Sequence, residues 1–212
     1  MEPVIKVSGV AAPLLRDNID TDTIAPGQRR SQVGKARPLS YDARQLAEIL
    51  FSAWRYDDAD EENPEFVLNR EPWRSARILI VGDNFGCGSS RETAVEALYH
   101  FGIRAVIGIS FGEIFYNNCF KWGVVPVILP RTEVERLAAQ AEERPDSVFE
   151  VDVEKQSLTK PDGGVLSYRI PELRRQQLLH GLDEIGMTLR MADEIQSFQD
   201  RQAVTKPWVH RR

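Results

Sequence analysis

Ala76-Arg77-Ile78-Leu79-Ile80-Val81-Gly82-Asp83-Asn84-Phe85-Gly86-Cys87-Gly88-Ser89-Ser90-Arg91-Glu92 reads as a buried strand, a glycine-rich turn and the start of a helix, in immediate succession. The run from Ala76 to Val81 has the length and β-branched content of a strand covered on both faces. Helical spacing resumes at Ala94, Ala97, Leu98 and Phe101. A second apolar run, Ala105 to Ile109, a short helix over Glu113 to Lys121, and a third run, Val124 to Leu129, follow. Strand, helix, strand, helix, strand with short connections is the signature of a parallel α/β layer. The fold class is α/β, with a parallel βαβα core from about residue 76 to 129.

Upstream, Asp17-Asn18-Ile19-Asp20-Thr21-Asp22-Thr23 is a turn dense in carboxylates, and Gln28 to Pro38 is a basic, small-residue loop. Leu46, Ile49, Leu50 and Ala53 make a helical stripe over Tyr41 to Ala53, and the acidic stretch Asp57 to Glu62 reads as solvated linker. Downstream, Val134, Leu137 and Ala138 mark a helix that stops near Pro145. Phe149 to Val153 alternates like a half-buried strand, and Pro161-Asp162-Gly163-Gly164 is a hairpin turn into Val165 to Ile170. The sheet therefore turns antiparallel in its C-terminal extension. Pro171 to Leu182 and Asp183 to Gln202 read as helical, and the tail Lys206 to Arg212 as basic and frayed.

With 212 residues, the chain has room for one large domain. Its 27 Lys plus Arg against 32 Asp plus Glu give a net charge of −5, without the basic excess of a nucleic-acid binder. No apolar run nears the ~20 residues of a membrane span. The two cysteines, Cys87 and Cys119, are too few for a disulfide scaffold or for the thiolates of an iron–sulfur cluster. Together these features point to a cytoplasmic, reduced protein with no nucleic-acid or membrane partner.

The chemistry centres on the turn. Backbone N–H groups at the start of a helix, added to the positive end of its dipole, make a site for a carboxylate, a phosphate or a developing oxyanion, and Arg91 can add a two-pronged clamp. Ser89-x-x-Glu92 is equally a capping box, which needs no chemistry, and the two readings can coexist. Gly86-x-Gly88 lacks the third glycine of a dinucleotide fingerprint, and neither a phosphate-loop motif nor a G-x-S-x-G elbow is present. His100, His180 and His210 form no metal-ligand spacing, and Asp20-x-Asp22 lacks the glycine and closing glutamate of a calcium loop. Cys119 reads as packing, and Cys87 carries no assigned chemistry.

Gly86 to Glu92, Ser110-Phe111-Gly112-Glu113-Ile114-Phe115-Tyr116-Asn117-Asn118-Cys119-Phe120-Lys121 and Asp20-Thr21-Asp22 resemble the small subunits of 3-isopropylmalate dehydratase, in the aconitase superfamily. The resemblance runs from about Asp17 through Gly181 to Gly186 and the helix that follows. It implies a three-layer β/β/α swivelling domain over residues 1–212, with a core at about 17–186 and a C-terminal helix and tail at 187–212. It further implies a hydro-lyase of leucine biosynthesis that interconverts 2- and 3-isopropylmalate by dehydration and rehydration. Ser89 would be the catalytic base and Arg91 its catalytic partner on the substrate carboxylate. Gly88, Ser90, Asp22 and Thr21 would border the dicarboxylate substrate. No cofactor would be bound by this chain, the 4Fe-4S cluster being supplied by a partner large subunit. The chain departs from the usual family pattern at Thr93, where histidine is common, and after Ile24, where related enzymes distinguish substrate side chains. Homoaconitate, citramalate or dimethylmalate as substrate, and a non-catalytic carboxylate-binding module, are the alternatives.

Overall fold

Strand β2 (Ile78–Val81) is buried along its whole length, and its side chains divide between two cores. The computed structural model describes residues 1–26, 42–88 and 91–209. Around β2 lie β1 (Lys6–Leu14), β3 (Ala105–Gly108), β4 (Val125–Ile128), β5 (Val148–Asp152), β6 (Ser157–Thr159) and β7 (Val165–Ser167), in the order β4-β3-β2-β1-β5-β6-β7. The pairs β1–β2, β2–β3 and β3–β4 are parallel, whereas β1–β5, β5–β6 and β6–β7 are antiparallel.

β1 joins the two halves. Its first part, Lys6 to Val10, pairs with β5, and its last part, Ala11 to Leu14, pairs with β2. Pro13, which has no N–H to donate, falls where β1 has a neighbour on one side only. β1 buries Val7, Ala11, Ala12 and Leu14 at the centre of the sheet.

On one face, Leu79, Val81 and Val106 share a core with Leu46, Ile49 and Leu50 and with Ala94, Val95 and Leu98. These come from α2 (Ala43–Ile49) and its C-cap, and from α4 (Glu92–Phe101). On the other face, Ile78, Ile80, Ile107 and Val127 share a core with Phe149, Val151 and Leu158 of the antiparallel half, and with Val134 and Leu137 of α6 (Arg131–Glu143). Helices, parallel half and antiparallel half thus form the β/β/α layers. Each fully buried aliphatic side chain contributes about 1.5 to 3 kcal/mol relative to exposure, so β2 alone is a substantial anchor.

Several local expectations are corrected. The helix expected up to Ala53 breaks at Phe51, which is left-handed at φ 47°, and resumes as α3 (Ser52–Arg55). The acidic stretch is a tied turn, not loose linker: Asp57 accepts from the N–H groups of Ala59 and Glu61, and Glu62 takes two bonds from Arg74 at 2.8 and 2.6 Å. The turn at 161–164 joins β6 to β7, a strand ending at Ser167 and not Ile170. The last helical stretch divides at Met191 into α8 (Glu184–Arg190) and α9 (Ala192–Thr205), neither of which buries a residue. The basic loop at 28–38 and His210 lie outside the described residues.

Candidate active site

β1, β2 and β3 end side by side, and the chain leaving each stays beside its neighbours. Open α/β sheets place ligands beyond the carboxyl ends of their parallel strands, and the described site residues Thr21, Asp22, Gly88 and Arg91 fall there. The segment 83–87 runs between the other two loops like a short central strand. On one side, the N–H of Asn18 donates to the Asp83 carbonyl at 2.8 Å, that of Gly86 to Ile19 at 2.7 Å, and that of Thr21 to Cys87 at 3.0 Å. On the other, the N–H of Phe85 donates to Ser110 at 3.1 Å and that of Gly112 to Phe85 at 2.9 Å.

Phe85 pins this segment from below. It is fully buried and meets Phe115 edge-on at 5.2 Å and Phe111 at 6.4 Å. Gly86 is left-handed at φ +73°, and a Cβ on it would fall inside the Phe115 side chain. Gly88, at φ +93°, has room for a Cβ but a backbone that only glycine adopts easily. The sequence therefore builds a turn without side chains at Gly86 and Gly88, the latter beside Asp20 and the first residue of α1 (Thr21–Ile24).

Of the six predicted site residues, four are brought together. Gly88 lies beside Asp20 and Thr21, and Thr21 is buried. Asp22 forms an ion pair with Arg91 through Nη1, and both side chains remain partly exposed. Among the described residues Asp22 is the one carboxylate on that guanidinium, which leaves Arg91 further donors for a ligand. Ser89 and Ser90 lie outside the described residues.

The capping box is not what starts α4. Arg91 holds the N-cap position with no side-chain cap, and Glu92, at the first helical position, pairs with Lys121 at 3.0 Å. The Arg91 side chain pairs with Asp22. Asp20 is committed elsewhere, accepting from the Thr23 N–H at 2.6 Å as the cap of α1.

Sequence reasoning missed the carboxylates under the turn. Asp17 accepts from the Asp83 N–H at 2.7 Å and from Arg131 at 3.2 Å, and Ser110 Oγ donates to Asp83 at 2.5 Å. The signal is a repeated dipeptide, Asp17-Asn18 and Asp83-Asn84, at the head of each loop. The Asp83 amide first, and Arg131 second, hold the Asp17 carboxyl below its ordinary range. Arg74 does the same for Glu62, and Arg175 and Gln176 for Glu172.

Each of these groups binds protons less readily folded than unfolded. The stability they contribute is present above about pH 4, the unfolded carboxylate value, and is lost as pH falls through their lower folded values. Thermal melting followed from pH 7 to pH 3 should show the midpoint dropping below about pH 4, with a shallower drop in Asp17→Asn. A midpoint flat across that range would refute this.

Cys119 is fully buried, and burial pushes its thiol well above the ordinary value, whereas Cys87 is half-exposed in the turn. One of the two thiols is thus sealed in the core, and among the described residues no group of three or more His, Cys, Asp or Glu is placed to hold a metal ion. His100 packs against Tyr99 and Trp122, and burial lowers its pKa. Among the described residues, no helix is long and apolar enough to cross a membrane.

A β/β/α domain with a bare glycine turn and an Arg–Asp pair beyond its parallel strands defines an aconitase-type C-terminal domain, and the profile of the aconitase C-terminal domain matches residues 1–132. The profile of the C-terminal domain of 3-isopropylmalate dehydratase small subunits matches residues 184–212. Small subunits of 3-isopropylmalate dehydratase from Jannaschia sp. and Rhodospirillum centenum are 44% and 45% identical over 209 residues, covering 99% of this chain and 100% and 99% of theirs. The crystal structure of 3-isopropylmalate dehydratase from Methanocaldococcus jannaschii superposes with a TM-score of 0.59 at 27% identity, over 92% of this chain and 99% of that one. The chain belongs to the family of 3-isopropylmalate dehydratase small subunits, the hydro-lyase components of leucine biosynthesis.

Proposed function

We propose that this chain supplies the proton-abstracting half of a hydro-lyase that interconverts 2- and 3-isopropylmalate, acting in the cytoplasm with a large subunit that carries the 4Fe-4S cluster. The observation that carries this reading is the Arg91–Asp22 pair set beside the Gly86–Gly88 turn at the carboxyl ends of the parallel strands.

Arg91 can grip a substrate carboxylate with donors that Asp22 leaves open, while Asp22 holds the guanidinium in place. Ser89, two residues before the N-cap of α4, takes the proton from the carbon next to that carboxylate. A cation and the N-terminal end of a helix favour an alkoxide over the neutral hydroxyl, which is the activation a serine base needs. Thr21 and Gly88 border the same space, and Gly88 lets the backbone approach the ligand closely. Residues 1–212 act as one swivelling unit that closes on the large subunit.

The test is anaerobic co-purification with the candidate large subunit, then assay on 2-isopropylmalate, homoaconitate, citramalate and dimethylmalate. Turnover is expected with the two subunits together, fastest on 2-isopropylmalate. The single chain should be colourless and inactive. A faster rate on another diacid would replace the substrate, and turnover or iron–sulfur absorbance in the single chain would overturn the division of labour.

A further inference from the structure

Asp17-Asn18 and Asp83-Asn84 lie 66 residues apart in sequence and clasp each other where β1 and β2 release their chains. The Asn18 N–H donates to the Asp83 carbonyl at 2.8 Å, and the Asp83 N–H donates back to Asp17 Oδ1 at 2.7 Å. Asn84 Nδ2 then donates to Asn18 Oδ1 at 2.9 Å, while the Asn84 N–H donates to Ser110 Oγ at 2.9 Å. Both asparagines are left-handed, at φ 57° and 53°.

That conformation is costly for most residues and tolerable for asparagine, and such strain persists only where the surroundings over-determine it. The side-chain bond itself is exposed, so it adds little to global stability. The anchoring is already done by the buried Phe85 and the backbone ladder. What the bond does fix is the direction in which the turn leaves Asn84, two residues before the Gly86–Gly88 rise.

We propose that the Asn18–Asn84 side-chain tie positions the glycine turn for the reaction, setting where Gly86–Gly88 and Arg91 stand relative to the Asp20-Thr21-Asp22 loop. Asn18 and Asn84 are positioning residues, acting through that turn. The inference rests on the reading of Ser89 and Arg91 as the reacting pair. A displacement of about 1 Å at a reacting group can cost on the order of 100-fold in rate, so a tie worth little in stability can matter in turnover.

Asn18→Gly isolates the tie, because glycine accepts φ 57° without strain and removes only the acceptor. Asn18→Asp keeps an acceptor for Asn84. In the assembled two-subunit enzyme, Asn18→Gly should lower kcat about tenfold with KM within about threefold, and Asn18→Asp should retain about half the activity or more. In the full chain alone, iodoacetamide should label Cys87, inside the turn, about tenfold faster in Asn18→Gly, while buried Cys119 stays unreactive. Should Asn18→Gly fail to fold, Asn84→Gly removes the donor at φ 53° and takes the same two measurements.

Wild-type kcat in Asn18→Gly, or equal losses in the Gly and Asp variants, overturns the proposal. So does Cys87 and Cys119 labelling that rises together with kcat per folded molecule unchanged, which is a stability effect only. Full turnover in Ser89→Ala would remove the base reading, and the Cys87 rate would still decide whether the tie orders the turn.

Discussion

Ser89→Ala in the reconstituted two-subunit enzyme should lose turnover by about 10³-fold or more while the variant folds and binds its partner normally. The base must sit where a proton on the carbon beside a carboxylate can reach it. Cys87 lies on the far side of Gly88, and the carboxylates of Asp20 and Asp22 are engaged, one capping α1 and the other paired with Arg91. Had Ser89 been a helix cap, its loss would cost about 0.5 to 2 kcal/mol of stability. Arg91 occupies that position instead, so the melting temperature should scarcely move. The measurement is kcat of the assembled enzyme beside the melting curve of the full chain. Turnover near the wild-type value would leave the serine without a catalytic part.

The parallel half of the fold was legible because β2 and β3 are buried along their whole length and β4 along all but Ile128, and such strands read as unbroken apolar runs. β1 was not, although it lies at the centre of the sheet. Its Gly9, Ala11, Ala12 and Pro13 have poor strand propensity, and its place is set by neighbours. A Cβ at Gly9 would lie 2.9 Å from Arg77 Cβ, so a better strand former there would obstruct the entry to β2. β6, three residues with one buried side chain, has too short a pattern to read. In the site, the glycine turn announces itself locally, since the positive φ at Gly86 and Gly88 favours glycine. The Asp-Asn clasp and the Asp22–Arg91 pair do not, because their partners meet only once β1 and β2 lie parallel.

Arg91→Lys should raise KM for the dicarboxylate and lower kcat, with kcat/KM falling about 100-fold. A guanidinium can hold Asp22 through one nitrogen and still present two parallel N–H groups to a carboxylate. A lysine ammonium is a point charge on a flexible stem, and it can satisfy one partner at a time in that geometry. If it stays on Asp22, the substrate loses its clamp and KM rises. If it turns to the substrate, it leaves Asp22 and its place at the turn, and kcat falls. Stability separates this from a surface role, since the Arg91–Asp22 pair is over a third exposed at each partner and is worth at most about 1 kcal/mol. A kinetic loss of about 100-fold, equivalent to roughly 2.7 kcal/mol, exceeds what breaking that pair could cost, so it has to come from groups present only during the reaction. Kinetics indistinguishable from wild type would make Arg91 a solvated helix-start residue and leave carboxylate binding to the backbone N–H groups of the turn.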